Sequence, residues 1–375
     1  MVRRMWPRAR SVVVLVVALL AADVARAEQF VRIAVGRFKE TLSVSGEGLV
    51  VTGADGSRVT TRSPVVLAAG PDGILVEGKP VAHETLVVRT EGELTVRGHR
   101  YRRVLEVTWR SYRGRPELLV VHPLPLETYV VGIVSSELPT KWPYEALKAQ
   151  AVAARTYAIW QKYRRLDLPY HMESTVLDQV YHGVEREHDD AVRAVRETSG
   201  VVLAHQRRPV QAYFHASCGD HTESAKDGWG TELPYLPGSP CGACTAATRY
   251  RWSASVPRAK VDAAFTPLVG ERVTGITVVE RTATGRVKSL RLTGKSRKKT
   301  IAGADLRRLL GYDRVWSTMI TKISLDDRAL VVEGKGAGHG VGMCQWGARG
   351  FAERGESHTA ILERYYPGAR LVRMY

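Results

Sequence analysis

Between residues 123 and 162 the chain changes from short alternating runs to apolar residues at helical spacing, and two prolines cut that repeat into two helices. Tyr129, Val130, Ile133 and Val134 mark one face of the first. Leu138-Pro139 ends it, because the residue before a proline is pushed out of the α region. Pro143 suits the first turn of the second helix, where Leu147, Ala151, Ala154 and Ala158 form a stripe of mostly small side chains that predicts close packing. One acid, Glu137, sits where the first repeat stops. A carboxylate at a helix C-terminus meets the negative end of the dipole, and partial burial further disfavours its charge. Both effects raise its pKa, as a general acid requires. The competing reading is a solvated glutamate at a helix end.

Upstream, residues 1–27 read as a secretory signal peptide. Arg3, Arg4, Arg8 and Arg10 precede an apolar run, and Ala25-Arg26-Ala27 is a small-x-small cleavage site. The run is short for a membrane span, so an uncleaved anchor is the lesser reading and the membrane enters only through this peptide. Residues 28–122 alternate apolar runs with glycine-rich turns about every ten residues, which indicates an all-β scaffold or binding module. Residues 123–375 mix helical and strand patterns, so the expected fold is α+β: a β-rich N-terminal module, then a mixed catalytic domain carrying a cysteine/histidine loop. The formal charge of +17 falls to about +13 without residues 1–27. On an exported chain, such charge suits anionic envelope polymers. Nucleic acid is set aside because neither a recognition motif nor the compartment supports it.

Two clusters suggest chemistry. His215-x2-Cys218-x2-His221, followed by Cys241-x2-Cys244, has the spacing of a tetrahedral zinc site. Three thiolates and either His215 or His221 would close the shell, making the zinc structural. A disulfide from Cys218 to Cys241 or Cys244 is the alternative in an oxidising compartment. Cys344 reads as unpaired and outside the cluster. The run from Gly336 to Met343 alternates glycines with other residues and presents His339. It lacks the βαβ context of a dinucleotide loop, and no organic cofactor is expected. Gln345 and Trp346 then open a helix, and a tryptophan beside a cleft can stack on a sugar.

PLPLETYVVGIVSSELP, ALKAQAVAARTYA, QVYHG, AYFHASCGDHTES and GHGVGMCQWGARGFAERG, taken together, resemble the stage II sporulation protein D family, whose relatives include amidase-enhancer domains. The resemblance covers about residues 123–375. It implies a lytic transglycosylase of peptidoglycan, acting in the periplasm or cell envelope on glycan strands with or without stem peptides, with an amidase as a second partner. Glu137, in the S-E-x-P motif, would be its single acid/base. Lys148 and Arg155 match basic positions of the family and would line the groove, with His339 and Gln345 nearby. Asp178 and Asp220 are the nearest candidates for a second carboxylate, which this chemistry does not require. Cys344-Gln345-Trp346 stands where the family often has Ser-Gln-Tyr, and Gly219-Asp220 where it often has Gly-Gly. A non-catalytic amidase enhancer and a zinc hydrolase are the competing functions.

Overall fold

A computed structural model describes residues 29–139, 141–175 and 178–375; the expected signal peptide at 1–27 lies outside them. The N-terminal region is an antiparallel sheet. Its long central strands are Phe30–Phe38, Thr85–Val96, His99–Tyr112 and Arg115–Pro125, with shorter strands at one edge. Alternation places Val31, Ile33, Leu86, Val88, Leu105, Val107, Leu118 and Val120 in the core. The turns Glu77-Gly78, Arg97-Gly98 and Arg113-Gly114 have both residues at positive φ, the geometry that closes two-residue hairpins. Leu86–Arg89 and Leu94–Arg97, which read as separate runs in sequence, largely form one twelve-residue strand with a register shift between Arg89 and Glu93.

Strand Arg115–Pro125 crosses the expected division at 122/123 and runs directly into helix α1 (Leu126–Glu137). One buried cluster extends from Val31 to Val202, so packing does not break at that division. Helix α2 (Tyr144–Arg164) is buried along most of its length, with alanines 149, 151, 153 and 154 fully enclosed. Those small side chains admit α1, α3 (Asp189–Glu197) and the strand Val201–His205 close to its axis. The C-terminal strand Arg370–Arg373 pairs antiparallel with Val201–His205.

A second cluster gathers the cysteine loop with α4 (Ala225–Trp229) and the end of the chain. A third, from Trp252 to Val332, encloses two three-stranded sheets, α5 (Arg258–Val269) and α6 (Gly303–Leu310). The hairpins expected at 276–293 and 320–333 are present. Helix α5 was not expected from the sequence, since Val261, Phe265 and Val269 mark only a thin apolar face. After the glycine run come α7 (Gln345–Glu353) and α8 (His358–Tyr365). Among the described residues no helix is long and apolar enough to cross a membrane.

Candidate functional site

Glu137 is the last residue of α1, where Leu138 leaves the helix in an extended conformation. Its carboxylate lies against two elements distant in sequence. The Gln345 amide donates to Oε2 at 3.1 Å, and the Val180 N–H approaches Oε1 at 3.4 Å. Gln345 Nε2 also donates to Gln150 Oε1 at 3.4 Å, so α2 supports the residue that aims the acid. Burial pushes the Glu137 pKa upward, opposed by these two hydrogen bonds. The residue as a whole is half-buried. Gln150 and Val180 are contacts that sequence patterns did not single out, although they lie within the ALKAQAVAARTYA and QVYHG motifs.

Trp142, shortly after Glu137 in the chain, and Trp346, next to Gln345, meet edge to face at 5.1 Å, with the Arg349 guanidinium 5.6 and 4.9 Å from their ring centres. Trp142 is nearly buried and Trp346 is partly exposed, so Trp346 is the more accessible ring of the pair. Neither candidate second acid is free. Asp178 accepts from Tyr157, Gln161 and the Glu173 N–H, and pairs with Arg165 at 2.8 Å. Asp220 pairs with Lys335 at 2.8 Å and accepts from the Tyr250 hydroxyl.

The other residues expected at the site are placed differently. Arg155 is fully buried and does not line a groove. Its Nε and Nη2 grip Glu127 at 2.9 and 2.7 Å, and further bonds reach the carbonyls of Val195 and Val201. The Glu127 carboxylate also receives the Gly200 N–H and the hydroxyl of the last residue, Tyr375. This buried hub joins α1, α2, α3 and the chain terminus. Glu127→Ala strands the Arg155 charge and should cost about 3–5 kcal/mol of unfolding free energy, measured by denaturant titration. A loss below about 1 kcal/mol would contradict that role.

Lys148 pairs with Glu145 and lies 3.9 Å from Glu197. Glu145, its pKa held down to about 2, also receives the His358 N–H at 2.6 Å and fastens α8 to α2. Lys148 is therefore occupied within the fold. His339 has both ring nitrogens committed to backbone: Nε2–H donates to the Phe214 carbonyl at 2.8 Å, and Nδ1 accepts from the Val341 N–H at 3.1 Å. Burial lowers its pKa to about 4, so the ring is a neutral clamp, packed against Tyr213 and Trp229. Of the four substrate-binding candidates, Gln345 alone touches Glu137.

The glycine run explains how distant motifs converge. Gly336, Gly338, Gly340 and Gly342 all have positive φ, and a side chain at 338 or 340 would strike His215 or Arg286. This backbone threads beside the cysteine loop: Ala337 bridges to Ser217, Val341 to Glu223, and Met343–Cys344 pairs in parallel with Phe214–His215. The result corrects the expected ligand set. Cys218, Cys241, Cys244 and Cys344 bring their sulfurs within 4.8 Å of one another, all buried, and Cys218 and Cys244 lie 3.5 Å apart. Cys344, expected outside the cluster, is the fourth member, while neither histidine belongs to it. His215 Nδ1 lies 3.2 Å from the Val341 carbonyl, and His221 Nδ1 2.6 Å from that of Thr222.

The four sulfurs fit a metal. Thiolates at the ~2.3 Å zinc–sulfur distance stand about 3.8 Å apart in a tetrahedron. Cys344 caps α7 and its sulfur accepts the N–H groups of Gly347 and Cys218, both at 3.2 Å, contacts that favour a thiolate. The four cysteines can therefore bind a metal ion.

The sequence profile described as stage II sporulation protein matches residues 115–205, and one described as a domain of unknown function (DUF8618) matches 243–342. The chain is 32% identical over 315 residues to an uncharacterized protein of Brachyspira hyodysenteriae, covering 83% of each chain. It is 31% identical over 274 residues to the stage II sporulation protein D of Bacillus amyloliquefaciens, covering 66% of this chain and 74% of that protein. It is also 27% identical over 290 residues to the amidase enhancer of Bacillus subtilis, covering 64% of this chain but 40% of that longer protein.

Proposed function

Since this chain belongs to the stage II sporulation protein D family, we propose that it is an exported, cell-wall-directed glycan lyase in which Glu137 is the single acid/base. The observation that carries the reading is the Glu137 carboxyl, biased toward its protonated form by burial on a half-buried residue, and aimed by Gln345 and the Val180 N–H.

Protonated Glu137 would donate its proton to the glycosidic oxygen between N-acetylmuramic acid and N-acetylglucosamine as the bond to C1 breaks. The resulting carboxylate would then take the proton of the C6 hydroxyl as O6 closes on C1, forming a 1,6-anhydro ring and regenerating the acid. No water is consumed, and no second carboxylate is needed. Trp346 would offer the sugar an aromatic face, with Arg349, itself paired with Glu353 at 2.7 Å, over the ring. Purified glycan strands, with and without stem peptides, incubated with the mature chain should yield 1,6-anhydro ends by mass spectrometry. Failure with both substrates overturns the reading.

Gln345→Ala gives a pH test. Gln345 donates to the Glu137 carboxylate and so holds its pKa down; without it the pKa rises. Activity requires the protonated acid, so the basic limb of the rate profile should move to higher pH. A limb that stays or moves down contradicts this assignment.

The amidase-enhancer likeness favours one other reading, a wall-binding chain that stimulates a separate amidase. Under it, Glu137→Gln would leave stimulation intact. We assign the four-cysteine centre to a structural zinc, since four protein ligands leave no open position for substrate.

A further inference from the structure

Arg286 is among the most deeply buried charged residues of the chain, 2% exposed, at the start of strand Val287–Thr293. Its Nη2 donates to the carbonyl of Cys218 at 2.6 Å and approaches that of His221 at 3.4 Å, while Nε and Nη1 have no hydrogen-bond partner. Among the described residues it makes no ion pair. The nearby buried carboxylate, Glu223, turns its oxygens to Thr282 at 2.6 Å, Thr284 at 2.5 Å and the Ser224 N–H at 2.9 Å. Arg307 lies close enough to add to the positive charge. A guanidinium held this deeply with only neutral contacts is costly unless an anion offsets it.

Glu223 offsets part of that charge from a distance, and the adjacent four-cysteine cluster supplies the rest in one state only. Four thiols are neutral, and so are two disulfides, whereas four thiolates around a divalent cation carry two net negative charges. Resting on the structural-zinc reading, we propose that Arg286 is the charge partner of the four-cysteine centre, a positioning residue that strengthens metal binding from outside the ligand shell. It reaches the centre through the Cys218 carbonyl and belongs to the body enclosing Trp252 to Val332. Metal binding is thereby coupled to the docking of that body on the cysteine loop. Gly340 fits the same arrangement, because a side chain there would occupy the guanidinium's place.

The test compares the zinc-loaded full chain with Arg286→Lys, Arg286→Gln and Arg286→Met, counting bound zinc and timing its release to a chromophoric chelator. Gln and Met should release zinc about 10–100-fold faster than the unaltered chain, the size of effect expected from a residue outside the ligand shell, with Lys closer to the unaltered rate. Gln can still donate to the Cys218 carbonyl, so the Lys/Gln order separates charge from hydrogen bonding, and this pair decides the matter if Met fails to fold. Equal release from all four chains, or slower release from Gln than from Lys, overturns the proposal while leaving the zinc reading intact. An unaltered chain that binds no zinc overturns both.

Discussion

Replacing Glu137 with Gln should lower the rate of 1,6-anhydro product formation by about 10²–10⁴-fold, the range that positioned proton transfer contributes. The amide keeps one acceptor oxygen for the Gln345 amide or the Val180 N–H and turns its NH2 toward the other, and it cannot deliver a proton. Stability should not fall with activity. Burial raises the Glu137 pKa above its value in the unfolded chain. The folded state therefore holds that proton more tightly, and the group's stabilising effect fades as pH rises through its folded pKa. The amide variant lacks that penalty, so its melting temperature at pH 8 should equal or exceed that of the unaltered chain. A variant that loses activity only by unfolding would remove Glu137 from the acid role.

Cys344→Ser should abolish stable zinc binding and loosen the fold around it. The centre draws its ligands from the loop at 218, the pair at 241 and 244, and the start of α7. Losing one ligand therefore releases three segments that share the second buried cluster. Zinc in such closed sites contributes directly to folding free energy. We expect one zinc per unaltered chain, close to none in Cys344→Ser, and protease cleavage in the loop between 218 and 244 that the unaltered chain resists. His215→Ala and His221→Ala should retain zinc. Loss of zinc from a histidine variant, with retention in Cys344→Ser, would restore the ligand set expected from spacing.

That reversal shows where sequence reasoning succeeds and stops. Local signals were legible: the break after Glu137, the strand alternation, and the two-residue turns with glycine second. The motif around Cys218 and the pair at 241 and 244 also pointed to one centre. Cys344 did not, because it lies about a hundred residues from Cys244 and arrives only through the parallel pairing of Met343–Cys344 with Phe214–His215. The signal available was a fourth cysteine left over beside three ligand candidates.

The family resemblance sets Arg155 and Lys148 along the groove, yet α2 is enclosed on nearly every side, so Arg155 pairs with Glu127 and Lys148 with Glu145. Gln345 is expected near Glu137 only through the family resemblance. Its contact with Glu137 spans 208 positions of sequence, and no local pattern predicts it. The guanidinium of Arg286, with no ion pair among the described residues, was likewise invisible, since only burial makes its charge anomalous.

Cleavage of peptide-free glycan strands in ¹⁸O-enriched water tests the single-acid account most directly. The account predicts fragments ending in 1,6-anhydro-N-acetylmuramic acid with no ¹⁸O, because the C6 hydroxyl and not water attacks C1. Reducing ends carrying ¹⁸O would contradict it, since they require a water nucleophile.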